Sequence, residues 1–406
     1  MHKIEAEDPL FRVIDKVVPG DKAVALDLLN AELPQRIKFG TDPTGKDLHF
    51  GHAVNLWAMR RMQELGHKVD LVIGDVTASI GDPTGRKTER PTLTTAEVDG
   101  NAEHFLAQIS RILLTTPDVF EVHRNSTWFS AMSAIDFING TLRHTTIGKL
   151  LERKDFQERM AGNVPIHAHE LAYQLLQGYD SVHLQTDIAV CGDDQLTNEL
   201  MGRHLQERHG MQPQVLFTTR LTPGIDGGEK QSKSRGNYIG LTHSASEQFR
   251  RIMSIPDNLI EVYFEVYTDM PTDQIRASIA ANLGASPRDL KMALARAMLS
   301  RYHSDEVIGS ARENYERAAL KQAPGDAPSV IVASPSVDLM QFAVDHLELS
   351  KSAFARLVAG GAVVLNGTKL DASMLKDRSL PVEISGGRAE LKYGKNKWIV
   401  LTVEQG

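Results

Sequence analysis

Residues 37–73 carry the pattern that restricts the fold most: a strand, a helix and a second strand joined by short loops. An apolar stretch at 37–40 leads through an Asp-Pro-Thr-Gly turn into a helix with apolar periodicity over 53–62, and another apolar run occupies 69–73. Such a unit predicts a parallel sheet with a right-handed crossover. Ligands of these sheets bind at the carboxyl ends of the strands. The polar residues that this chain places there are Asp42, Thr44, Thr77 and Asp82.

Two histidines, His49 and His52, lie at the start of the helix. Their spacing of three residues puts both imidazoles on one face. The free N–H groups and the dipole of a helix start favour anions, so both rings can donate to phosphate oxygens. Thr44 adds a hydroxyl donor beside them, and Gly51 leaves room for a nucleotide to pack on the backbone. A helix cap with a solvated ring is the alternative for this segment alone.

A second cationic segment, Lys-Gln-Ser-Lys-Ser, runs from Lys230 to Ser234 between glycine-containing stretches. Lysines on such a loop can swing onto phosphate oxygens. Another basic cluster, at 86–90, follows Gly85. Taken alone, the lysine segment is equally compatible with an ordinary solvated loop.

In this order the two segments resemble the HIGH and KMSKS signatures of class I aminoacyl-tRNA synthetases. The resemblance continues through 69–74, 81–86, 173–181 and 237–240 and through the C-terminal tail, so it covers nearly the whole chain. The chain most resembles the bacterial tyrosyl-tRNA synthetases, in the branch that has Lys38 where another branch has a tyrosine. This implies activation of tyrosine with ATP to tyrosyl-adenylate and pyrophosphate, followed by transfer of tyrosine to the 3′ end of tRNA(Tyr).

The resemblance also implies the partners. ATP is the expected substrate, with Mg²⁺ held mostly by ATP oxygens and water, because the sequence shows no dedicated carboxylate cage and hence no metal ligands. Tyrosine and tRNA(Tyr) are the other partners of an expected homodimer in the cytoplasm. No apolar run approaches the roughly 18–20 residues of a membrane span, so no membrane partner is expected. The single cysteine, Cys191, fits a reducing compartment.

By resemblance, one set of residues handles the nucleotide. Thr44 and His49 hold the pyrophosphate side and His52 the ATP, while two lysines close over the β- and γ-phosphates. The predicted catalytic residues are Thr44, His49, His52, Lys230 and Lys233. The predicted ATP-binding residues are Gly51, Arg86, Gly192, Asp194, Lys230 and Lys233.

A second set selects the amino acid. Tyr173, Gln177 and Asp180 recur at helical spacing and share one face. By resemblance, Asp82, Tyr173 and Gln177 bind the α-ammonium group, and Gly192, Asp194 and Gln195 hold the ribose and the substrate carboxylate. Asp180 accepts a hydrogen bond from the phenol, which separates tyrosine from phenylalanine because the carboxylate is unpaired without the hydroxyl. The predicted tyrosine-binding residues are Asp42, Asp82, Tyr173, Gln177, Asp180 and Gln195.

Periodicity, composition and the resemblance divide the chain. Residues 1–240 are predicted to form a Rossmann-like α/β nucleotide-binding domain, with a helical insertion at about 92–172 that the resemblance makes a dimer surface. Residues 241–320 are predicted to be an α-helical domain on the anticodon side. Residues 321–336 have linker composition. The remainder, 337–406, is predicted to be a small α+β RNA-binding domain.

The tail resembles an RNA-binding module of ribosomal-protein type. Asn366-Gly367 between β-rich runs predicts a hairpin. The net charge of −7 argues against indiscriminate nucleic-acid binding, so a tRNA must be met by local basic patches. A solvated face on a small α+β cap is the alternative. The predicted RNA-binding residues are Lys351, Arg356 and Lys369.

Several positions depart from the usual family pattern, namely Gln174, Cys191, Asp193 and Gln231. They leave room for a specialised paralogue. The Gly-Asp-Asp-Gln run also resembles tryptophanyl-tRNA synthetases, so activation of another aromatic amino acid is one alternative function. An RNA-binding protein on a catalytically altered synthetase scaffold is the other.

Overall fold

The computed structural model describes residues 3–44, 47–83, 94–281, 286–320, 322–325, 327–375, 379–394 and 397–404. By its internal contacts the chain divides into two compact units. Unit 1 comprises Met1–His243 and Arg251–Tyr302, and unit 2 comprises Ser244–Arg250 and His303–Gly406. Within the described ranges, no helix combines the length and apolar character needed to cross a bilayer.

The secondary structure follows in chain order. The strands are β1 (Ile14–Val18), β2 (Arg36–Thr41), β3 (Lys68–Ile73), β4 (Phe120–Arg124), β5 (Ile188–Gly192), β6 (Val215–Thr219), β7 (Ser329–Val332), β8 (Ser336–Asp338), β9 (Val363–Leu365), β10 (Thr368–Lys369), β11 (Pro381–Glu383), β12 (Arg388–Tyr393) and β13 (Lys397–Val403). The α-helices are α1 (Leu10–Val13), α2 (Lys22–Leu29), α3 (Phe50–Glu64), α4 (Asp75–Ile80), α5 (Thr95–Ile109), α6 (Ser126–Phe129), α7 (Ala134–Gly140), α8 (Ile147–Leu150), α9 (Lys154–Ala161), α10 (Ala168–Leu184), α11 (Leu196–Arg208), α12 (Ala245–Met253), α13 (Ile260–Tyr267), α14 (Thr272–Ala281), α15 (Pro287–Leu299), α16 (Asp305–Ala319), α17 (Leu339–His346) and α18 (Lys351–Ala359).

Unit 1 is built on a sheet whose described strands have the order β1-β6-β5-β2-β3-β4. Strands β2 to β6 run parallel, and β1 runs antiparallel to β6. The chain leaves β2 toward β3 and β4, then returns to place β5 and β6 on the other side of β2. The strand order therefore reverses between β2 and β5, which is where open α/β sheets bind ligands. This topology confirms the predicted Rossmann-like α/β class.

The segment predicted as a helical insertion also contains a strand. β4 pairs in parallel with β3, with Val69 opposite Phe120. It lies at the sheet edge, and its side chains, such as Glu121 and Arg124, are half-buried or exposed. An edge strand with charged residues has no apolar run to reveal it, so the sequence pattern missed β4.

Helices α10 and α11 approach closely through two glycines. A Cβ on Gly178 would lie 3.1 Å from the backbone nitrogen of Gly202, and a Cβ on Gly202 would lie 2.8 Å from Oγ of Ser181. A larger residue at either position would push the helices apart. The short distance between the helices places Gln177 of α10 within hydrogen-bond distance of Glu199 of α11.

Unit 2 contains a sheet of order β10-β9-β12-β13-β7 and a two-stranded sheet of β8 and β11. Phe342 of α17, Phe354 of α18 and Leu391 of β12 belong to one apolar core. Asn366 and Gly367 have φ of 47° and 79° and connect β9 to β10. This is the hairpin that an Asn-Gly pair predicts.

The segment at 321–336 is more than the linker that the sequence predicts. It contains β7, which pairs in parallel with β13. Glu390 of β12 accepts hydrogen bonds from Arg317 and from the backbone N–H of Ala323, which tie α16 and this stretch to the C-terminal strands. A short strand between prolines has the composition of a linker, which is why it was missed. The functional roles predicted for the separate segments stay predictions.

Candidate active site

A cleft of about 620 Å³ opens in unit 1 at the carboxyl ends of β2, β3 and β5. The predicted residues that line it are Asp42, Thr44, His49, Gly51, His52, Asp82, Tyr173, Gln177, Asp180, Gly192, Asp194, Gln195, Lys230 and Lys233. Arg86 lies outside the described residues. Lys351, Arg356 and Lys369 belong to unit 2, where all three are exposed. The fold thus collects every predicted catalytic and tyrosine-binding residue in one place.

His49 is the N-cap residue of α3, and His52 lies in the first turn. The backbone N–H of His49 donates to Nδ1 of His52 at 3.2 Å. A ring nitrogen that accepts carries no proton, so the proton of a neutral His52 lies on Nε2. The helix start therefore fixes His52 as a donor through Nε2.

The ring of His49 lies against the backbone of α3. A Cβ on Gly51 would lie 3.0 Å from Cε1 and Nδ1 of that ring, so any side chain at this position would force the ring of His49 to shift. His49 is 9% exposed, and its Nδ1 has no hydrogen-bond partner among the described residues. A buried polar atom without a partner costs free energy unless a ligand satisfies it. Nδ1 of His49 therefore marks a place for a ligand atom.

Both imidazoles are neutral at pH 7. Burial, together with the charges of Lys233 and Lys230, lowers the pKa of His49 to about 4. Burial lowers the pKa of His52 well below its usual value, and His49 and the same lysines act in the same direction. Burial also lowers the pKa of Lys233, against the opposing charge of Asp47. The cleft thus combines neutral N–H donors with nearby ammonium groups.

The lysine loop is held at its centre by Gln231, which is 5% exposed. Its Nε2 donates to the hydroxyl of Tyr267 at 2.7 Å, and its Oε1 accepts from the backbone N–H of Ile239 at 3.1 Å. Lys230 and Lys233, one before it and one two residues after it, are exposed and line the cleft. Gln231 departs from the family pattern, yet it anchors the loop and leaves both lysines available.

Asp42 follows β2 and holds two neighbours in place. It accepts hydrogen bonds from Oγ1 of Thr77 at 2.6 Å and from the hydroxyl of Tyr173 at 2.8 Å. A Cβ on Gly74 would lie 2.2 Å from Oδ1 of Asp42, so only glycine fits beside this carboxylate. The ring of Tyr173 is consequently fixed in the wall of the cleft.

A chain of polar side chains orients Asp82. Nε2 of Gln195 donates to Asp82 at 2.8 Å, and Oε1 of Gln195 accepts from Asn198 at 2.9 Å. Arg153 donates in turn to Oδ1 of Asn198 at 2.5 Å. Because an arginine can only donate, the chain fixes which end of each amide faces which neighbour.

Asp180 is buried in the wall of the cleft, where it is 4% exposed. Nε1 of Trp128 donates to it at 3.1 Å. Burial raises the pKa of Asp180 to about 8, against the opposing effects of Lys38, Trp128 and Asn125. At pH 7 the carboxyl is therefore mostly protonated and can either donate or accept a hydrogen bond.

The proton on Asp180 makes stability depend on pH. Its pKa is about 8 in the folded chain, against an ordinary value of 3.8. Between these values the folded state binds a proton that the unfolded state has lost. The contribution of Asp180 to the free energy of unfolding is therefore complete below pH 3.8 and is lost as the pH rises through about 8. Asp180→Asn should therefore gain stability relative to the wild type between about pH 5 and pH 8.5, measured by thermal unfolding. The exposed Asp345→Asn is the control, and matching pH profiles for Asp180→Asn and the wild type contradict the raised pKa.

Cys191, the only cysteine of the sequence, lines the cleft but is 5% exposed. Burial raises the pKa of its thiol well above the usual value. A buried, protonated thiol is a poor nucleophile. Cys191 therefore acts as a packing residue behind Gly192.

One group of possible metal ligands lies in the described part of the chain: Asp70, Glu121 and His123, with ligand atoms within 4.8 Å of one another. Asp70 already pairs with Arg36 at 2.8 Å and lies 2.9 Å from Nε2 of His123. The positive charge of Arg36 opposes a bound cation, and these three residues do not line the cleft. We assign them no metal role.

Sequence reasoning missed Glu199, which lines the cleft, and two residues that contact the cleft wall: Lys38, which pairs with Glu199, and Trp128, which donates to Asp180. Glu199 lies four residues after Gln195 in one helical stretch, a spacing that puts both on one side of the helix. Lys38, which served in the resemblance only to distinguish two branches of the family, alternates with Gly40 on β2 and with Asp42 just after it, so it shares their face of the sheet. Both spacings are visible in the sequence and are enough to identify Glu199 and Lys38 as candidates. Trp128, the donor to Asp180, has no comparable local signal.

The sheet is doubly wound, with the histidine pair after its first parallel strand, β2, and the lysine loop after its last, β6. This combination defines the core of a class I aminoacyl-tRNA synthetase. The family model described as tRNA synthetases class I (W and Y) matches residues 30–318. Tyrosine–tRNA ligase 2 of Vibrio vulnificus (strain YJ016) is 38% identical over 398 residues, which are 97% of each chain. Tyrosine–tRNA ligase of Moorella thermoacetica is 39% identical and covers 97% of this chain and 94% of its own. The chain belongs to the tyrosyl-tRNA synthetase family.

Solved structures share the fold. A C-terminally truncated mitochondrial tyrosyl-tRNA synthetase of Aspergillus nidulans has a TM-score of 0.65 at 20% identity, over 77% of this chain and 94% of its own. The tyrosyl-tRNA synthetase of Archaeoglobus fulgidus, complexed with L-tyrosine, has a TM-score of 0.57 at 20% identity, over 75% of this chain and 96% of its own. At these identities the likeness concerns the fold alone.

Proposed function

We propose that this protein is a tyrosine–tRNA ligase, which activates tyrosine with ATP and transfers it to the 3′ end of tRNA(Tyr). One observation carries the proposal: a single cleft joins a phosphate-binding half to a buried carboxyl that can pair with a phenol. The names of the relatives support the same substrates.

The first step joins the amino acid to the nucleotide. A carboxylate oxygen of tyrosine attacks the α-phosphorus of ATP, the bond from that phosphorus to the oxygen bridging to the β-phosphate breaks, and pyrophosphate leaves with the electron pair. Negative charge builds on the five-coordinate phosphorus and on the leaving group, so catalysis needs positioning and charge stabilisation. His49 and His52 donate to phosphate oxygens beside the hydroxyl of Thr44. Lys230 and Lys233 neutralise the departing pyrophosphate.

The other half of the cleft holds the amino acid. Asp82, Tyr173 and Gln177 receive the α-ammonium group, and Asp180 pairs with the phenol. Asp42 supports Tyr173 through its hydrogen bond at 2.8 Å. The ribose and the substrate carboxylate are held by Gly192, Asp194 and Gln195.

ATP is proposed to arrive with Mg²⁺, which neutralises phosphate charge. Two carboxylates of the cleft, Asp42 and Asp82, already accept hydrogen bonds from Thr77, Tyr173 and Gln195. The sequence offers no dedicated carboxylate cage, so the ion is proposed to be held mostly by phosphate oxygens and water. Arg86 is proposed to approach the pyrophosphate.

Amino-acid-dependent ATP–pyrophosphate exchange tests the proposal. Purified protein should exchange labelled pyrophosphate into ATP far more efficiently with tyrosine than with tryptophan or phenylalanine. Exchange with tryptophan alone would make the protein a paralogue for another aromatic amino acid. Absence of exchange with every amino acid would leave the altered RNA-binding homologue.

The tRNA is proposed to contact unit 2 through Lys351, Arg356 and Lys369, which are exposed. The double change of Lys351 and Arg356 to alanine should raise KM for tRNA(Tyr) in aminoacylation. The slope of log KM against log salt concentration should fall by about 1 to 2, because each lost phosphate contact would have released about one counterion. Exchange without tRNA should keep its rate. The exposed Arg208→Ala on α11, outside the segments predicted to face the tRNA, is the control. An unchanged KM in the double variant contradicts the RNA role.

A homodimer, working in the cytoplasm, is part of the proposal. Large apolar side chains are exposed along 135–164 of unit 1, a concentration that marks interaction surfaces in soluble proteins. They are Ile135, Ile138, Leu142, Ile147, Met160 and Val164. Light scattering should give twice the chain mass of 44.8 kDa. The mass of a single chain would contradict the dimer.

A further inference from the structure

The amide of Gln177 has only one orientation open to it. Its Nε2 donates to Oε1 of Glu199 at 2.9 Å. Its Oε1 is buried and has no hydrogen-bond partner among the described residues. A carboxylate only accepts, so the NH₂ end must face Glu199 and the carbonyl end must face away. Both Gln177 and Glu199 line the cleft.

Lys38 holds Glu199 as a carboxylate. Its Nζ lies 2.8 Å from Oε2 of Glu199, and the two side chains are 1% and 3% exposed. Nζ of Lys38 also donates hydrogen bonds to Oγ of Ser181 at 2.6 Å and to the backbone carbonyl of Gln177 at 3.4 Å. With three acceptors for three protons, Lys38 has no donor left for a substrate. Its effect on the side-chain amide of Gln177 therefore passes through Glu199.

We propose that Glu199, paired with Lys38, is a positioning residue that locks the amide of Gln177 with its carbonyl oxygen presented to the α-ammonium group of the substrate. The inference rests on the proposed function, in which an amino acid with a free ammonium group occupies the cleft. A carbonyl oxygen attracts the ammonium group, whereas the NH₂ end of a flipped amide would repel it.

The fold explains why the pair can act on Gln177 so directly. Lys38 lies on β2, Gln177 on α10 and Glu199 on α11, so three elements beside the strand-order reversal meet at one ion pair. The glycines of α10 and α11 allow the close approach that the hydrogen bond needs. Gln214 adds a second hydrogen bond to Glu199 at 3.0 Å, which fixes the carboxylate itself.

A purely structural role for the ion pair is the rival explanation. Replacing both members of a buried pair with apolar residues is often neutral or stabilising, whereas removing one leaves an uncompensated charge. A single substitution would therefore lower both the stability of the fold and the binding of substrate, and the two effects could not be told apart. Two double variants avoid this, since both remove the two charges and only one keeps an acceptor for Nε2 of Gln177.

The variants are Lys38→Met with Glu199→Leu, and Lys38→Met with Glu199→Gln. Both should unfold near the wild-type temperature. In ATP–pyrophosphate exchange the leucine variant should raise KM for tyrosine by about 10- to 100-fold, the usual effect of losing one charge-assisted hydrogen bond. The glutamine variant should recover most of this loss, and KM for ATP should stay near wild type in both. Glu207→Leu, an exposed change on α11, is the control for helix effects.

Two inhibitors give a readout independent of turnover. Tyramine carries the ammonium group without the carboxylate, and 3-(4-hydroxyphenyl)propanoate carries the carboxylate without the ammonium group. The leucine variant should weaken tyramine inhibition and leave that of the propanoate unchanged. Equal KM values for tyrosine in the two double variants, or equal loss for both inhibitors, overturn the inference. Failure of the wild type to exchange with tyrosine would instead overturn the proposed function.

Discussion

Lys233→Ala should lower kcat for tyrosine-dependent ATP–pyrophosphate exchange by about 100- to 1,000-fold, the usual effect of removing one group that stabilises transition-state charge. Its ammonium group lies close to the histidine pair, since its charge lowers the pKa of both His49 and His52. The side chain is exposed, so its loss should barely change the thermal unfolding temperature. Steady-state exchange kinetics and a thermal scan of the same preparation measure both effects.

The matched control is Arg235→Ala. Arg235 is another exposed cation of the same loop, but it does not line the cleft. Its exchange rate should stay near wild type. If Lys233→Ala keeps the full rate, Lys233 has no part in phosphate chemistry and the role assigned to it is wrong.

Asp180→Ala should reduce the preference for tyrosine over phenylalanine by about 10- to 100-fold, since a buried polar group left unpaired costs about 1–3 kcal/mol. With phenylalanine in the cleft, the carboxyl of Asp180 has no phenol to pair with and keeps the hydrogen bond from Trp128. Alanine removes both that penalty and the favourable bond to tyrosine. The ratio of kcat/KM for the two amino acids in exchange measures the change.

Trp128→Phe is the control for this second experiment. It removes the donor to Asp180 and leaves the carboxyl in place, so the preference for tyrosine should largely survive. An unaltered ratio in Asp180→Ala would move the phenol contact to another residue.

The parts of the site that could be read from the sequence are those with short-range signals. His49 and His52 share a helix turn, Lys230 and Lys233 share a loop, and the α/β class follows from one strand-helix-strand unit. Their geometry is set by neighbours in sequence, such as the backbone N–H of His49 that fixes the proton of His52. Local chemistry was enough to predict these features.

The parts that could not be read depend on residues far apart in the chain. Lys38 and Glu199 come together only because the strand order reverses between β2 and β5 and two glycines let α10 and α11 approach. Strand β4 escaped notice because an edge strand needs no apolar run. Gln231 looked like a departure within the lysine loop, and only the contacts to Tyr267 and Ile239 show that it anchors the loop.

The burial of Cys191 makes the chain well suited to site-specific labelling. Its thiol is shielded and protonated, so a maleimide reagent finds no reactive sulfur on the folded protein. One cysteine introduced at Ser234 would then be the single point of attachment on an otherwise natural sequence. A fluorophore there would follow the lysine loop in real time as ATP and tyrosine bind.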